Sequence, residues 1–377
     1  MKKIFLDCTF LRNTHTGIDV AFLSLIHFIL KVDKINSYII LVDSRYDQEY
    51  LRKQVGQASN CKFKTIFSPL PLQVLYSSFL IPFYLRLKKI DVYHNPYFFG
   101  PFFKIIAPKT KIVITVHDLY HHTIPQNRRV VINSIFRIFA DRAIKRADKI
   151  IAISSQTLHD IMKYLNPKEE NVVLIHQALS EKLVGKAPLI SEIGKFKLSK
   201  GKYILTVGSL IPNKAFDDLL KAYDLLNKKY GVNDLKLVSV GAQQGDFAEG
   251  IKKLIKKMNY VSDEVQLLGY VDDEILKSLY ADAFVFVLPS HYEGFGMPIL
   301  EGMNFGIPVV ARNSSSLVEV VGNSGMLFDD VDDLALKLLQ LHNDDALYSQ
   351  FVEKGYQRIK DFSWDATAKK TLTVYFN

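Results

Sequence analysis

Phe284-Val-Phe-Val-Leu-Pro-Ser-His-Tyr-Glu-Gly-Phe-Gly-Met-Pro-Ile-Leu-Glu301 reads as an apolar strand ending at Pro289, a glycine loop, and a helix whose first turn holds Pro298 and which continues through Met303. A strand this continuously apolar suits a parallel sheet covered on both faces. Gly294 and Gly296 let the backbone approach a ligand closely, and the N–H groups at a helix start favour an anion. Glu293 and Glu301 are placed to accept hydrogen bonds from hydroxyls, which suits a sugar or ribose better than a bare phosphate. Taken singly, Glu301 could be a helix-dipole partner and the two glycines turn residues. The whole string after a buried strand is what argues for a site.

Working outward, short β-branched runs recur at Lys3 to Asp7, Tyr38 to Val42, Ile112 to Val116, Ile150 to Ser154, Tyr203 to Val207, Lys236 to Val240, Ala283 to Leu288 and Pro308 to Ala311. Helical patterns lie between them, among them Ala215 to Lys228, Phe247 to Lys257, Asp273 to Ala281 and Val331 to His342. Strands alternating with helices predict an α/β chain with parallel sheets. The alternation lapses between about Ser180 and Gly201, where Lys, Gly, Pro and Ser dominate, so an interdomain linker is expected there. Two α/β domains result, over residues 1–185 and 186–362.

The 377 residues predict two or three domains, each able to bury its own core, and 48% hydrophobic against 23% charged residues is ordinary globular composition. Two cysteines, Cys8 and Cys61, suggest a reducing compartment. Asp7 and Arg12 interrupt the apolar start, which therefore does not read as a signal peptide. No stretch reaches the ~20 apolar residues of a membrane span. A cytoplasmic protein is expected, with the inner face of the cell membrane as a candidate peripheral site. The net charge of +9 is uneven: residues 1–180 carry 25 Lys/Arg against 13 Asp/Glu, and residues 181–377 carry 23 against 26. A basic first half can meet nucleic acid, an anionic membrane or a phosphorylated substrate. No nucleic-acid motif occurs, so nucleic acid is not expected as a partner. Leu70 to Lys89, apolar with a terminal Arg86, Lys88, Lys89 cluster, reads either as an interfacial helix or as a core helix with a solvated end.

Three further strings carry chemistry. Leu205-Thr-Val-Gly-Ser-Leu-Ile-Pro-Asn-Lys-Ala-Phe-Asp218 is a strand, a glycine turn and a helix starting near Lys214, which would hold a diphosphate through its ammonium and nearby backbone donors. Ile112 to Asp118 delivers His117 to a strand's carboxyl end, where α/β sheets place their ligand crevices; His94 comes from a similar strand end, and Asp118 is a candidate turn cap. Thr14-His-Thr-Gly-Ile18 is a small-residue loop after the first strand, with Gly17 as a candidate contact. The third glycine of a dinucleotide fingerprint is absent, because Ile299 sits there. The other histidines show no trusted metal-ligand spacing, and no metal is expected.

These strings resemble the retaining glycosyltransferases of family 4, with their GT-B architecture of two Rossmann-like domains facing across a cleft. Glu293 to Glu301, Val207 to Lys214, Leu268-Gly-Tyr-Val-Asp-Asp273, Val116-His-Asp118, Thr16 to Ile18 and Phe362-Ser-Trp-Asp-Ala-Thr367 carry the resemblance. It implies that the carboxyl half binds a nucleotide sugar, GDP- or UDP-linked, as co-substrate and not as a resident cofactor. Glu293 and the backbone of Gly294, Phe295, Gly296 and Met297 would meet the donor sugar, Glu301 the ribose, Lys214 with Ser209 the diphosphate, and Val271 the base. His117 would contact the sugar near its reacting carbon, and residues 363–377 would cross back onto the first domain. Many relatives carry an arginine where Ser209 or Asn213 stands, so the diphosphate clamp has one cation fewer. The expected reaction moves a hexose, with a leaning to mannose from GDP-mannose, to a hydroxyl of a glycan or polyprenyl-diphosphate-linked acceptor in polysaccharide, O-antigen or capsule assembly, with retention and without a metal. A nucleotide-sugar epimerase and a non-catalytic nucleotide-sugar-binding subunit remain as alternatives.

Overall fold

The computed structural model describes residues 1–11, 17–56, 58–67, 76, 80–97, 104–123, 130–184 and 193–377. They divide into two compact units, Met1–Ala178 with Ser363–Asn377, and Leu179–Phe362. Each unit is built on one parallel sheet, as the alternation of apolar runs and amphipathic segments requires.

In the first unit the strands are β1 (Lys3–Cys8), β2 (Ser37–Asp43), β3 (Cys61–Ile66), β4 (Val92–Asn95), β5 (Lys111–Val116), β6 (Lys149–Ala152) and β7 (Val172–Leu174). Their order across the sheet is β3-β2-β1-β4-β5-β6-β7. The second unit has β8 (Tyr203–Val207), β9 (Lys236–Val240), β10 (Val265–Gly269), β11 (Val285–Leu288), β12 (Val309–Arg312) and β13 (Met326–Phe328), in the order β10-β9-β8-β11-β12-β13. Each sheet grows outward in both directions from a central pair, β1 with β4 and β8 with β11. That reversal is the Rossmann-type switch point, where ligands bind at the carboxyl ends of the strands.

All eight strands read as apolar runs are present. Of the remaining five, β4 is the strand inferred from His94. The other four flank the sheets and carry a weaker signal: β3 alternates with exposed Lys62 and Lys64, β10 contains Gln266, and β7 and β13 are apolar but only three residues long.

Helix Phe216–Lys228 shows how the second core forms. Its buried face of Phe216, Leu219, Leu220, Tyr223 and Leu226 follows the helical repeat and packs on Ile204, Leu237 and Val285 of the sheet. Each fully buried Leu there contributes about 2 kcal/mol. Asp217 and Asp218 in its first turn favour the helix dipole. Helix Trp364–Phe376, at the end of the chain, lies against helix Gly17–Val32 of the first unit. Thr367 donates to the His176 carbonyl at 2.7 Å, and Tyr375 shares a 2.6 Å hydrogen bond with His94.

Candidate functional site

The second unit's switch point lies between β8 and β11, which pair directly through Val285 with Ile204 and Phe286 with Leu205. Beyond β8 the chain turns through Gly208, Ser209 and a 3-10 turn, Pro212–Lys214, before Ala215 takes a left-handed conformation (φ +47°) and the helix begins at Phe216. The helix therefore begins two residues later than expected, and Lys214 stands just outside it. Beyond β11 the loop Pro289–Gly296 leads to helix Met297–Asn304, with Pro298 in its first turn.

The two loops are fastened to each other and to β12. Asn213 donates from its amide to the Tyr292 carbonyl at 2.7 Å, and the Asn213 carbonyl accepts from the His291 N–H at 2.9 Å. Arg312, at the end of β12, donates to the Pro289 carbonyl at 2.8 Å and to Asp218 at 2.6 Å. Ser314 donates to the Ser290 carbonyl, Ser315 accepts from the Glu293 N–H, and Ser316 donates to the carbonyls of Glu293 and Phe295. A loop held at this many backbone points presents its side chains with little freedom.

Held this way, Glu293 meets Lys214. The Lys214 ammonium donates to Glu293 Oε1 at 2.5 Å, with the two side chains 27% and 14% exposed. Lys214 also lines a small recess with Thr206, Gly208, Ser209, Ser239 and Ser290. Ser290 Oγ is buried there and has no hydrogen-bond partner among the described residues. Bare backbone borders the recess. A Cβ on Gly208 would lie 3.6 Å from Lys214 Cδ, and one on Gly241, at the end of β9, would lie 2.2 Å from the Gly208 carbonyl oxygen. An ammonium, a carboxylate and small hydroxyls over a bare backbone edge can hold a polyanion beside a group rich in hydroxyls.

The other expected residues are placed differently. Phe295 and Met297 are buried, and the Phe295 ring packs edge-on against Phe362 at 5.5 Å, so its side chain anchors the loop. Glu301 is buried on helix Met297–Asn304 and accepts from Tyr280 Oη at 2.7 Å. Burial pushes its carboxyl up to about 7, against the opposing hydrogen bond from Tyr280. Val271 is buried just past β10, on the same edge of the sheet.

Residues 191–358 match the glycosyl transferases group 1 family, and residues 39–181 match glycosyltransferase family 4. The O-antigen chain mannosyltransferase B of Escherichia coli is 31% identical over 295 residues, covering 77% of this chain and 75% of that protein. The chain belongs to glycosyltransferase family 4. The serotype-specific mannosyltransferase WbdA of Escherichia coli is 28% identical over 269 residues, 68% of this chain but only 32% of its own length. Among solved structures, HepE of Anabaena in complex with UDP and glucose superposes with a TM-score of 0.76 over 99% of each chain, at 18% identity. That likeness is one of fold, GT-B, with two parallel-sheet Rossmann-like domains.

In the first unit of this glycosyltransferase, His117 follows β5 and is 6% exposed. Its Nδ1 faces Gln177 Nε2 at 3.1 Å, and its Nε2 is buried. Burial pulls the imidazole down to about 4, with the Pro96 carbonyl acting the other way, so at neutral pH His117 carries no charge. His94 is fully buried between Tyr375 and Thr115, a core histidine with both ring nitrogens engaged. Asp118 accepts from the Tyr120 N–H at 3.0 Å, the turn-capping contact. Gly17 opens helix Gly17–Val32 and is exposed, while Thr14, His15 and Thr16 lie outside the described residues.

The bracing residues of the glycosyltransferase were missed in sequence. The signal for them was Asn313-Ser-Ser-Ser316, a run of small polar residues directly after a strand, which favours turns and backbone capping. Asn213, read as a lost cation, is the residue that ties the two loops together.

Proposed function

We propose that this glycosyltransferase moves a hexose, with mannose the first choice, from a GDP- or UDP-linked donor to a hydroxyl of a glycan or polyprenyl-diphosphate-linked glycan in surface-polysaccharide assembly. The transfer retains anomeric configuration and uses no metal. The observation that carries the reading is the Lys214–Glu293 pair at the switch point, an ammonium and a carboxylate 2.5 Å apart over a recess lined by hydroxyls. The likeness to an O-antigen chain mannosyltransferase supports the sugar, and the UDP and glucose complex of HepE supports a nucleotide-sugar donor.

Lys214 takes the diphosphate, Glu293 the sugar hydroxyls, Glu301 the ribose, and neutral His117 the sugar near its reacting carbon. As the glycosidic bond to the diphosphate breaks, negative charge gathers on the leaving oxygen. Lys214 then stabilises the transition state more than the ground state, by ~2 to 4 kcal/mol for a well-placed donor. The leaving phosphate accepts the acceptor's proton on the same face, which gives retention.

Incubation with GDP-mannose, UDP-glucose and a polyprenyl-diphosphate-linked oligosaccharide tests the proposal. An α-linked product, formed at the same rate in excess EDTA, is expected. A β-linked product overturns retention, a chelator-sensitive rate overturns metal independence, and isomerised donor without glycoside identifies an epimerase.

Peripheral membrane attachment is part of the proposal. Of the segment read as an interfacial helix, residues 70–75 and 77–79 lie outside the described residues. In the remainder, Leu80, Phe83 and Leu87 are 55%, 54% and 79% exposed at spacings of three and four, beside exposed Arg86, Lys88 and Lys89. Apolar side chains flanked by lysine and arginine support contact with an anionic bilayer. No helix among the described residues is long and apolar enough to cross a membrane. Flotation with phosphatidylglycerol vesicles, weakened by salt, is expected, and equal flotation with neutral vesicles would remove this part.

A further inference from the structure

We infer that Glu293 makes this glycosyltransferase discriminate between the intact sugar-bearing donor and the spent nucleoside diphosphate, holding the donor and favouring release of the product. The inference rests on the donor-site reading above and adds to it a competition for one ammonium.

Lys214 is already engaged. Its Nζ donates to Glu293 Oε1 at 2.5 Å, its stem lies over Gly208, and both side chains are largely shielded. The Glu293 backbone is fixed, its N–H held by Ser315 and its carbonyl by Ser316, so the carboxylate can leave Lys214 only by rotation of its own side chain and stays near the site. A diphosphate arriving at Lys214 must therefore share or replace a carboxylate whose backbone is fixed. Two anions beside one ammonium repel, and partial burial makes that repulsion larger than in bulk water.

The outcome depends on what the diphosphate carries. Sugar hydroxyls donate to the displaced carboxylate and restore its hydrogen bonds. A bare nucleoside diphosphate offers no such donors, so the carboxylate is left facing phosphate charge without compensation. Specificity is a difference of affinities, and here part of it comes from an unfavourable contact with the product. Once the sugar has moved to the acceptor, the same side chain that held it returns to Lys214 and opposes the leaving diphosphate.

Titration calorimetry with UDP, GDP and GDP-mannose on the wild type, Glu293→Gln, Glu293→Ala and Lys214→Ala tests this. Removing the carboxylate should tighten the preferred nucleoside diphosphate about tenfold while GDP-mannose binds no more tightly, so the preference for the donor shrinks. If neither Glu293 variant binds the nucleoside diphosphate more tightly than the wild type, the inference is overturned, although the donor site can still stand. If Lys214→Ala leaves nucleotide binding unchanged, or no protein binds either nucleotide, the donor-site reading fails as well. A measurement on the wild type alone gives an independent check: the inhibition constant of the product should exceed the donor KM, and a lower one overturns the inference. Thermal unfolding of each variant confirms that a folded protein is being compared.

Discussion

The two sheets reverse strand order in the same way but finish their strands with different chemistry. In the second unit, β8 and β9 run directly into Gly208 and Gly241 and β10 ends on Gly269, so three neighbouring strands end in bare backbone. Gly241 is required sterically, since a Cβ there would meet the Gly208 carbonyl oxygen at 2.2 Å. In the first unit several strands carry polar side chains at or next to their carboxyl ends. Asp7 accepts from Tyr93 at 2.6 Å and Thr9 at 2.7 Å, Asp43 holds Arg45 through two 2.8 Å bonds, β4 ends at Asn95, and β5 runs into His117. Topology decides where a ligand can sit, while the residues just past each strand decide which ligand it can be. A bare edge with one ammonium suits a polyanion, whereas an edge of acids, amides and imidazole suits hydroxyls.

The contrast can be broken most directly at Lys214. Lys214→Ala should lower turnover by about 10² to 10³, roughly 3 to 4 kcal/mol, with its unfolding transition in place. A loss of equal size from Asp43→Asn, at a strand end of the other unit, would erase the distinction.

Acid and base should separate the two units next. Burial holds His117 at about 4 and His94 at about 3, below the ordinary 6.5, so the stability they contribute is present above about 6.5 and lost as pH falls toward those values. The loss is on the order of 3 to 5 kcal/mol for each imidazole. Glu301 is held up at about 7, so its contribution is complete below about 4.5 and lost as pH rises through 7. Asp7, raised by burial, acts in that second sense within the first unit. Trp364, the single tryptophan, reports the first unit by fluorescence, and its midpoint should fall below pH 6 in a way that His117→Gln reduces. An acid-insensitive midpoint would contradict burial of the neutral imidazoles.

Smaller effects sharpen the comparison within the second unit. Gly241→Ala should cost about 2 to 3 kcal/mol in thermal unfolding, through strain and backbone overlap. Tyr280→Phe should cost about 1 to 2 kcal/mol by leaving Glu301 without its buried donor. An unchanged melting curve in either variant would mean that the packing described around it is not required.

Much of this was legible where the physics is local. The cores of both sheets announced themselves as unbroken apolar runs such as Tyr203 to Val207, and Pro298 marked its helix start. Flanking strands such as β3, with Lys62 and Lys64 turned outward, carry no such signal. Lys214 and Glu293 could each be assigned to a strand end, but they are 79 residues apart, and nothing in either string reveals that they share a proton-bearing contact. Glu301 was read as facing hydroxyls of a ligand, and its protein partner, Tyr280, comes from another helix whose packing only the folded unit determines. Asn213 likewise looked like a missing cation because its partner, the Tyr292 carbonyl, is a backbone atom without a sequence signature.

Because helix Trp364–Phe376 completes the first unit after the whole second unit has been threaded, synthesis on a ribosome delivers the pieces out of spatial order. The nascent first unit must wait, with His94 and the face of helix Gly17–Val32 uncovered, until Tyr375 emerges. Chaperone binding to that waiting surface, and its disappearance once helix Trp364–Phe376 has emerged and docked, would record this late closure of the first unit.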